Sequence, residues 1–260
     1  MKKLLMSLGL LALVSCTSTS PTGRTQVLLV NKDQMTQMGI KSFDAMKQET
    51  KISTDKKLNN YVQCVSNQII KTIPKDWQSG WEIVVFDSDM VNAFALPGKK
   101  IGVYTGILNV AQSADQLAAI IGHEVGHVIA NHSNERASQN KIAGVATQAA
   151  QIATQGTEYE AYATKGLGLA AQYGFLLPFS RAHESEADVI GLKYLIKAGF
   201  KPEESQQLWR NMAKVGGKAP SEFTSTHPSA DTRIDNLGAH IQKFKEQGIK
   251  ALQPRPSCSR

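Results

Sequence analysis

The spacing of apolar residues predicts a chain built mainly from amphipathic helices, with a few short strands in its first half. Ser113 and Gln116 form a capping box that marks one helix start, and Gly199 followed by Pro202 marks one helix end. We therefore expect an α+β fold that is predominantly α-helical, with a small β-sheet. The helices are predicted at 31–50, 58–70, 113–132, 184–198, 202–215 and 230–244.

Short segments rich in β-branched and aromatic residues predict the sheet. One strand is expected at Trp81–Phe86, and a further short strand at 26–30. Asn92–Leu96 and Lys100–Tyr104 predict a hairpin, because a Pro-Gly-Lys turn separates them.

The first strand of this hairpin is a candidate for holding substrate, because it directly precedes the helix that starts at Ser113. An extended peptide can add to a sheet edge through main-chain hydrogen bonds. A purely structural hairpin explains the same residues equally well. The candidate substrate-edge strand consists of Asn92, Ala93, Phe94 and Ala95.

Residues 137–172 are rich in Ala, Gly, Gln and Thr. Alanine favours helix and glycine weakens it, so we expect two helical pieces with a joint near Gly156. These pieces could cover a cleft or touch lipid, but plain helix packing is the simpler interpretation.

Composition indicates an exported globular protein rather than a nucleic-acid binder. The formal charge of +7 falls to +5 without Lys2 and Lys3, and the remaining charge is scattered. No basic patch interleaved with aromatic residues is present in the sequence, so we expect no nucleic-acid partner. Cys64 and Cys258 could form a disulfide in an oxidising compartment, but the sequence does not show whether they are close.

The first residues predict an export signal. Lys2 and Lys3 precede a short apolar run, and Leu13-Val14-Ser15-Cys16 is similar to a bacterial lipobox. We expect lipidation at Cys16 and a location in the bacterial periplasm. Thr17 follows the cysteine, and by resemblance to sorted lipoproteins this favours an anchor in the outer rather than the inner membrane. An ordinary signal peptide that contains a cysteine is the alternative. The expected divisions are a signal peptide at 1–15, a lipidated tether at 16–28, a catalytic domain at 29–250 and a flexible tail at 251–260.

The strongest chemical signal is the motif His123-Glu124-Val125-Gly126-His127. Histidines four apart lie on one helix face, so both rings can reach one tetrahedral zinc ion. Glu124 lies beside them and can take a proton from a water at the metal. The alternative is a helix with two ordinary histidines and a surface glutamate, which the capped amphipathic context disfavours. We expect one Zn²⁺ per chain.

A catalytic zinc ion needs a third protein ligand, and the helix at 184–198 carries the candidates. Glu184 and Asp188 share a face at a spacing of four. Glu184 can be the ligand, and Asp188 can accept the second ring N–H of a ligand histidine. Spacing alone leaves Glu186 as an alternative ligand.

Together with S-R-x-x-E-x-x-A-D and the segment Thr226–Arg233, the motif resembles the family of CAAX prenyl proteases and HtpX-type zinc metallopeptidases, and within it the soluble periplasmic lipoprotein branch. The resemblance implies a zincin-like domain with His123, His127 and Glu184 as metal ligands, and Glu124 as the general base. It also implies that Asp188 orients a ligand histidine.

The same resemblance places His227 at a position that can approach the metal, as a resting fourth ligand or to stabilise the oxyanion; a helix-start residue without a catalytic role is the alternative. It implies a zinc-dependent endopeptidase acting on misfolded or unassembled envelope proteins. A chaperone-like or latent zinc-binding lipoprotein with little proteolytic activity is the competing hypothesis. The oligomeric state stays open.

Overall fold

The computed structural model describes residues 17–157, 177–215 and 233–260. Seven α-helices and two small sheets form this part of the chain, which confirms the predominantly helical α+β fold. The strands are β1 Thr17–Thr19, β2 Thr25–Val27, β3 Glu82–Phe86, β4 Ala93–Leu96 and β5 Lys100–Tyr104. The helices are α1 Lys32–Glu49, α2 Lys56–Ile70, α3 Ala114–Ile129, α4 His132–Thr154, α5 Leu177–Lys197, α6 Glu203–Val215 and α7 Arg233–Glu246. Short 3₁₀ helices cover Lys75–Trp77 and Thr105–Asn109.

The main sheet has three strands in the order β3-β5-β4. The predicted hairpin is present, with β4 antiparallel to β5 and Ala95 opposite Ile101. β3 runs parallel to β5 on the other side, with Val85 opposite Val103. β4 is therefore an edge strand of this sheet. The strand predicted at 26–30 is shorter and earlier, because β2 pairs with β1 in a separate two-stranded sheet.

Helix α3 lies in the centre of the core. Fourteen of its 16 residues are buried, and it packs against α2, α5, α6 and β4. A helix that is covered on all sides must be apolar around its circumference, apart from polar residues that have partners. Its start is capped as predicted, since the Ser113 hydroxyl accepts a hydrogen bond from the Gln116 backbone N–H at 3.2 Å.

Helices α3 and α5 pack closely because small residues face each other. A Cβ atom on Gly122 would lie 2.9 Å from the Gly191 carbonyl oxygen, and one on Gly126 would lie 2.9 Å from the Ala187 carbonyl oxygen. The residue number rises along α3 as it falls along α5, so the two helices are antiparallel. This close packing brings side chains of α5 within reach of those on α3.

The C-terminal residues 251–260, expected to be a flexible tail, pack along the domain. Cys258 forms a disulfide with Cys64 on α2, which answers the question that the sequence left open. The Leu252 N–H donates to the Lys197 carbonyl at 2.8 Å, and the Arg260 guanidinium donates to the Leu108 carbonyl at 2.8 Å. The covalent link fixes a segment whose two prolines and polar residues carry no packing signal of their own.

The alanine-rich region is helical in its first part. α4 continues to Thr154, and Gly156 adopts a φ of 73° in the turn that follows, while the joint between two helical pieces stays a prediction. The second predicted piece lies outside the described residues, as do the signal peptide and Cys16. Within the described ranges, none of the helices combines the length and apolar character needed to cross a membrane.

Candidate metal centre

Helix α3 places the side chains of the two motif histidines next to each other. The Nε2 atoms of His123 and His127 lie 3.0 Å apart, and both residues are buried. Their four-residue spacing places the rings one turn apart on the same side of the helix. Burial strongly lowers the pKa of His127, so this ring is neutral and offers a lone pair.

Helix α5 supplies the third side chain of the candidate metal group. The Glu184 carboxylate oxygens lie 3.2 Å from His123 Nε2 and 3.3 Å from His127 Nε2. These three residues form a buried group whose ligand atoms all lie within 4.8 Å of one another. Two imidazoles and one carboxylate are a donor set of catalytic zinc sites, so the residues fit a zinc ion.

Asp188 and Arg233 hold the outer side of His123. Asp188 Oδ1 lies 2.9 Å from His123 Nδ1, and the Arg233 guanidinium donates to Asp188 Oδ1 at 2.6 Å and to Glu184 at 3.3 Å. Burial alone would lower the pKa of His123, but the hydrogen bonds with Asp188 and Glu184 outweigh it and raise the pKa to about 9. Metal binding at this ring must therefore displace a proton.

Glu186, the alternative ligand, points away from this group. Its side chain contacts His132 at 3.1 Å and the guanidinium of Arg24 at 2.9 Å. Residues two apart on a helix lie on different faces, which separates Glu186 from Glu184. His132 is fully buried, and its Nδ1 lies 2.8 Å from His127 Nδ1.

Two carboxylates and a histidine behind the metal group have shifted pKa values. Burial lowers the pKa of His132 to about 4, so this ring is neutral. Burial would raise the pKa of Glu186, but hydrogen bonds from His132, Ser20, Thr22 and Arg24 outweigh it and lower the pKa. The pKa of Glu135 falls to about 2 in the same way, because hydrogen bonds, chiefly from Arg24, outweigh burial.

Glu124 lies between the metal group and the edge of the sheet. It is buried, and its Oε2 accepts a hydrogen bond from the Ala95 backbone N–H at 3.3 Å. Beside His127 a cavity of about 610 Å³ extends between the end of α3 and the turn after β4, with Trp77 and Pro97 among its apolar walls. Glu124 therefore lies against the edge strand, and the cavity lies beside His127 and the turn that follows this strand.

Two predicted site residues, Cys16 and His227, lie outside the described residues. Sequence reasoning gave no role to Arg233, His132 or Arg24. Arg233 stands in the quoted segment Thr226–Arg233, so its position was a usable signal. His132 follows a left-handed turn at Asn131 (φ 56°), which returns the chain towards His127 and which spacing alone does not reveal.

Comparison with known proteins identifies related chains. A family model described as "Peptidase family M48" matches residues 56–241, more than half of the chain. The chain is 33% identical to the mitochondrial metalloendopeptidase OMA1 of Arabidopsis thaliana, over 75% of this chain and 41% of the relative. It is 32% identical to the mitochondrial metalloendopeptidase OMA1 of Homo sapiens, over 98% of this chain and 51% of the relative.

A bacterial relative is matched at lower identity. The beta-barrel assembly-enhancing protease of Yersinia pestis is 23% identical over 87% of this chain and 46% of the relative. The chain thus spans about half the length of the curated relatives it matches.

These matches contradict the predicted location. The expectation of a bacterial periplasmic protein at the outer membrane is wrong, because the relatives matched at higher identity are named mitochondrial proteins. That expectation depended on a short apolar run and four residues ending at Cys16, and so short a pattern carries little information about the compartment.

Proposed function

The chain belongs to peptidase family M48, and from this premise we propose that it is a zinc-dependent endopeptidase that hydrolyses peptide bonds in protein substrates. The observation that carries the proposal is the buried group of His123, His127 and Glu184 with Glu124 beside it. Three protein ligands leave a further position on a tetrahedral zinc ion for water or substrate, which is the arrangement of catalytic sites.

In the proposed mechanism His123, His127 and Glu184 would hold the ion. A bound zinc ion would supply Lewis acidity for the attack of water on the scissile carbonyl. Glu124 acts as the general base that takes the proton from the attacking water, and it then delivers this proton to the leaving amine. Asp188 keeps His123 in the tautomer whose Nε2 is free for the metal, since its carboxylate accepts the Nδ1 proton.

The edge strand β4 is the proposed holder of the substrate main chain. In its register with β5, Ala95 faces Ile101, while the Ala95 N–H points to Glu124 instead. An extended peptide that pairs with Asn92–Ala95 would therefore run past the general base. Only unfolded or flexible segments can adopt this extended form, so we propose such segments as substrates. The cavity next to His127 would take a large apolar side chain, because Trp77 and Pro97 line it.

Two further parts of the proposal concern residues outside the described ranges. We propose that a lipid on Cys16 tethers the protein to a membrane, and this proposal does not assign the membrane to a compartment. We also keep His227 as the proposed residue that approaches the metal or stabilises the oxyanion. Both rest on the sequence motifs in which these residues stand.

The test compares the Glu124→Gln variant with wild-type protein on an unfolded substrate such as reduced casein. Glutamine keeps the size of the side chain but cannot take the water's proton. We expect one zinc ion per chain, and a rate loss of several orders of magnitude, above the 10²–10⁴-fold typical of one acid–base group, because Glu124 serves both proton transfers. Glu203→Gln is the matched control: Glu203 lies on the surface in an exposed ion pair with Lys245, and its rate should equal that of wild type.

A Glu124→Gln protein that cleaves casein within tenfold of wild type would exclude this glutamate as the base. A zinc-loaded wild-type protein that does not cleave casein, yet prevents its aggregation, would instead favour the chaperone-like alternative. A metal chelator must abolish cleavage in the wild type, since the proposed reaction depends on the ion.

A further inference from the structure

The two ligand histidines are held in different ways on their outer sides. His123 Nδ1 faces the carboxylate of Asp188 directly. His127 Nδ1 faces another imidazole, since His132 Nδ1 lies 2.8 Å away. His132 has no solvent exposure, and its second nitrogen, Nε2, lies 3.1 Å from Glu186 Oε2. His127 is thus connected to a carboxylate through an intervening histidine.

We call the hydrogen-bonded series His127, His132 and Glu186 the relay. Donor and acceptor rules determine where its protons lie. An ionised carboxylate only accepts hydrogen bonds, so His132 donates to Glu186 from Nε2–H. Only one hydrogen fits between two ring nitrogens 2.8 Å apart, and a His127 ring that binds metal through Nε2 carries its hydrogen on Nδ1, so His132 Nδ1 is the acceptor. The facing His127 Nδ1 must then carry a proton and donate it. His127 Nε2 is left with its lone pair directed at the metal group, which is the tautomer that a ligand needs.

The carboxylate at the end of the relay is held by the first described residues of the chain. The hydroxyls of Ser20 and Thr22 both donate to Glu186 Oε1, and Arg24 Nε donates to Glu186 Oε2 at 2.9 Å. The same guanidinium forms a bidentate pair with Glu135, at 2.6 and 2.7 Å. Arg24 therefore fixes two buried carboxylates at once.

This N-terminal clamp, which we define as Ser20, Thr22 and Arg24, lies outside the residues 56–241 that match the family model. An orientation by hydrogen bonds outside the ligand set typically changes metal affinity by about 10–100-fold. Its donors are separated from Glu186 by more than 160 residues in sequence. The proposed ligand set on α3 and α5 therefore also depends on a segment that is distant in sequence.

We propose that the N-terminal clamp is a positioning element of the metal centre: it holds Glu186, which through His132 fixes the tautomer and orientation of the ligand His127. This inference rests on the proposed metal centre. It does not depend on peptide cleavage, because its consequence is the affinity for zinc. Displacing residues 20–24 from α5 is expected to weaken the metal site without altering any ligand.

The first experiment measures zinc affinity by competition with a chromophoric chelator, without substrate. Arg24→Ala should weaken zinc binding by about 10–100-fold. Arg24→Lys keeps the charge but not the bidentate contacts, and it should weaken binding by an intermediate factor. Arg255→Ala is the control, because it removes a comparable arginine contact, 2.6 Å from Asp115, at the start of the same helix α3. That control should bind zinc as the wild type does.

The second experiment asks whether Arg24 acts through the relay. His132→Phe keeps a buried ring but removes both nitrogens, and it should weaken zinc binding as Arg24→Ala does. If both act on His127 through one path, the double variant Arg24→Ala/His132→Phe should show little further loss. Long-range ¹H–¹⁵N correlation spectra of wild-type protein should show His132 protonated at Nε2 and not at Nδ1.

Three results would overturn the inference. The first is an Arg24→Ala protein whose zinc affinity lies within twofold of wild type. The second is a double variant in which the two single losses of zinc affinity multiply. The third is a His132 ring that is protonated at Nδ1. Failure of the proposed peptidase activity looks different, because a protein that binds zinc and shows these effects but leaves casein intact refutes the activity and leaves the clamp in place.

Discussion

Replacing Gly191 with alanine should disrupt metal binding while leaving most of the fold intact. A Cβ atom at this position would lie 2.6 Å from the Gly122 carbonyl carbon and 2.6 Å from the His123 backbone nitrogen. Both are backbone atoms of α3 and cannot rotate away. Carbon atoms pack at about 3.5–4.0 Å, so α3 and α5 must separate by about 1 Å.

The geometry of the site converts this displacement into a metal-binding defect. Ligands in a tetrahedral zinc site with bonds of about 2.0–2.2 Å lie about 3.3–3.5 Å apart. The Glu184 oxygens lie 3.2 and 3.3 Å from the histidine Nε2 atoms, which is close to that requirement. A further 1 Å would stretch the bonds to about 2.6 Å, beyond the tolerance of about 0.2 Å. We therefore expect zinc affinity to fall by about 100-fold or more. Overpacking between the two helices should also lower the free energy of unfolding by about 1–3 kcal/mol.

The assay is zinc competition combined with urea unfolding of the metal-free protein. Gly144→Ala is the control: it makes the same change inside α4, where a Cβ atom would meet nothing within 4 Å. The control should bind zinc normally and be slightly more stable, since alanine favours helix over glycine by about 1 kcal/mol. A Gly191→Ala protein with zinc affinity within threefold of wild type would refute the reasoning that helix spacing sets the ligand distances.

Three other predictions follow from the described contacts. Replacing Cys64 and Cys258 with serine should lower the free energy of unfolding by about 2–5 kcal/mol in urea titrations, and unchanged stability would contradict the role of the disulfide. The pKa of Glu135 is lowered to about 2, so the stability that its ionised form contributes is present above its ordinary pKa of 4.5 and is lost as the pH falls towards 2. In a plot of unfolding free energy against pH, Glu135→Gln should therefore reduce the slope between pH 4.5 and 2. An unchanged slope would contradict this role of Glu135. Intact mass spectrometry should detect acyl chains on the wild-type protein and none on Cys16→Ser, whereas equal acylation of both would exclude that lipidation site.

The helix that carries the two candidate ligand histidines was predictable because its sequence signals are local. A capping residue, apolar spacing and two histidines four apart all lie within one element, α3, and local geometry fixes their relation. The hairpin before it was predictable for the same reason, since its turn residues separate two short strand segments. The choice between Glu184 and Glu186 was not predictable from the sequence. Both residues lie on one helix, and only tertiary packing determines which face of that helix contacts α3.

The contacts of the N-terminal segment were hidden from sequence reasoning by distance along the chain. Ser20, Thr22 and Arg24 form part of a short polar stretch that is typical of a flexible linker. Their role appears only when α4 and α5 bring Glu135 and Glu186 to one place. The same holds for Cys258, whose partner lies 194 residues earlier.

The antiparallel packing of α3 and α5 explains why the two proposed ligand histidines have different hydrogen-bond partners on their outer sides. Along α5, Asp188 comes one turn after Glu184, and one turn along an antiparallel neighbour corresponds to one turn back along α3. Asp188 can therefore reach the outer nitrogen of His123 but not that of His127. Support for His127 must come from another element, and the turn after α3 supplies it with His132. That ring in turn needs an acceptor fixed on its far side, which is why the metal centre extends to the start of the described chain.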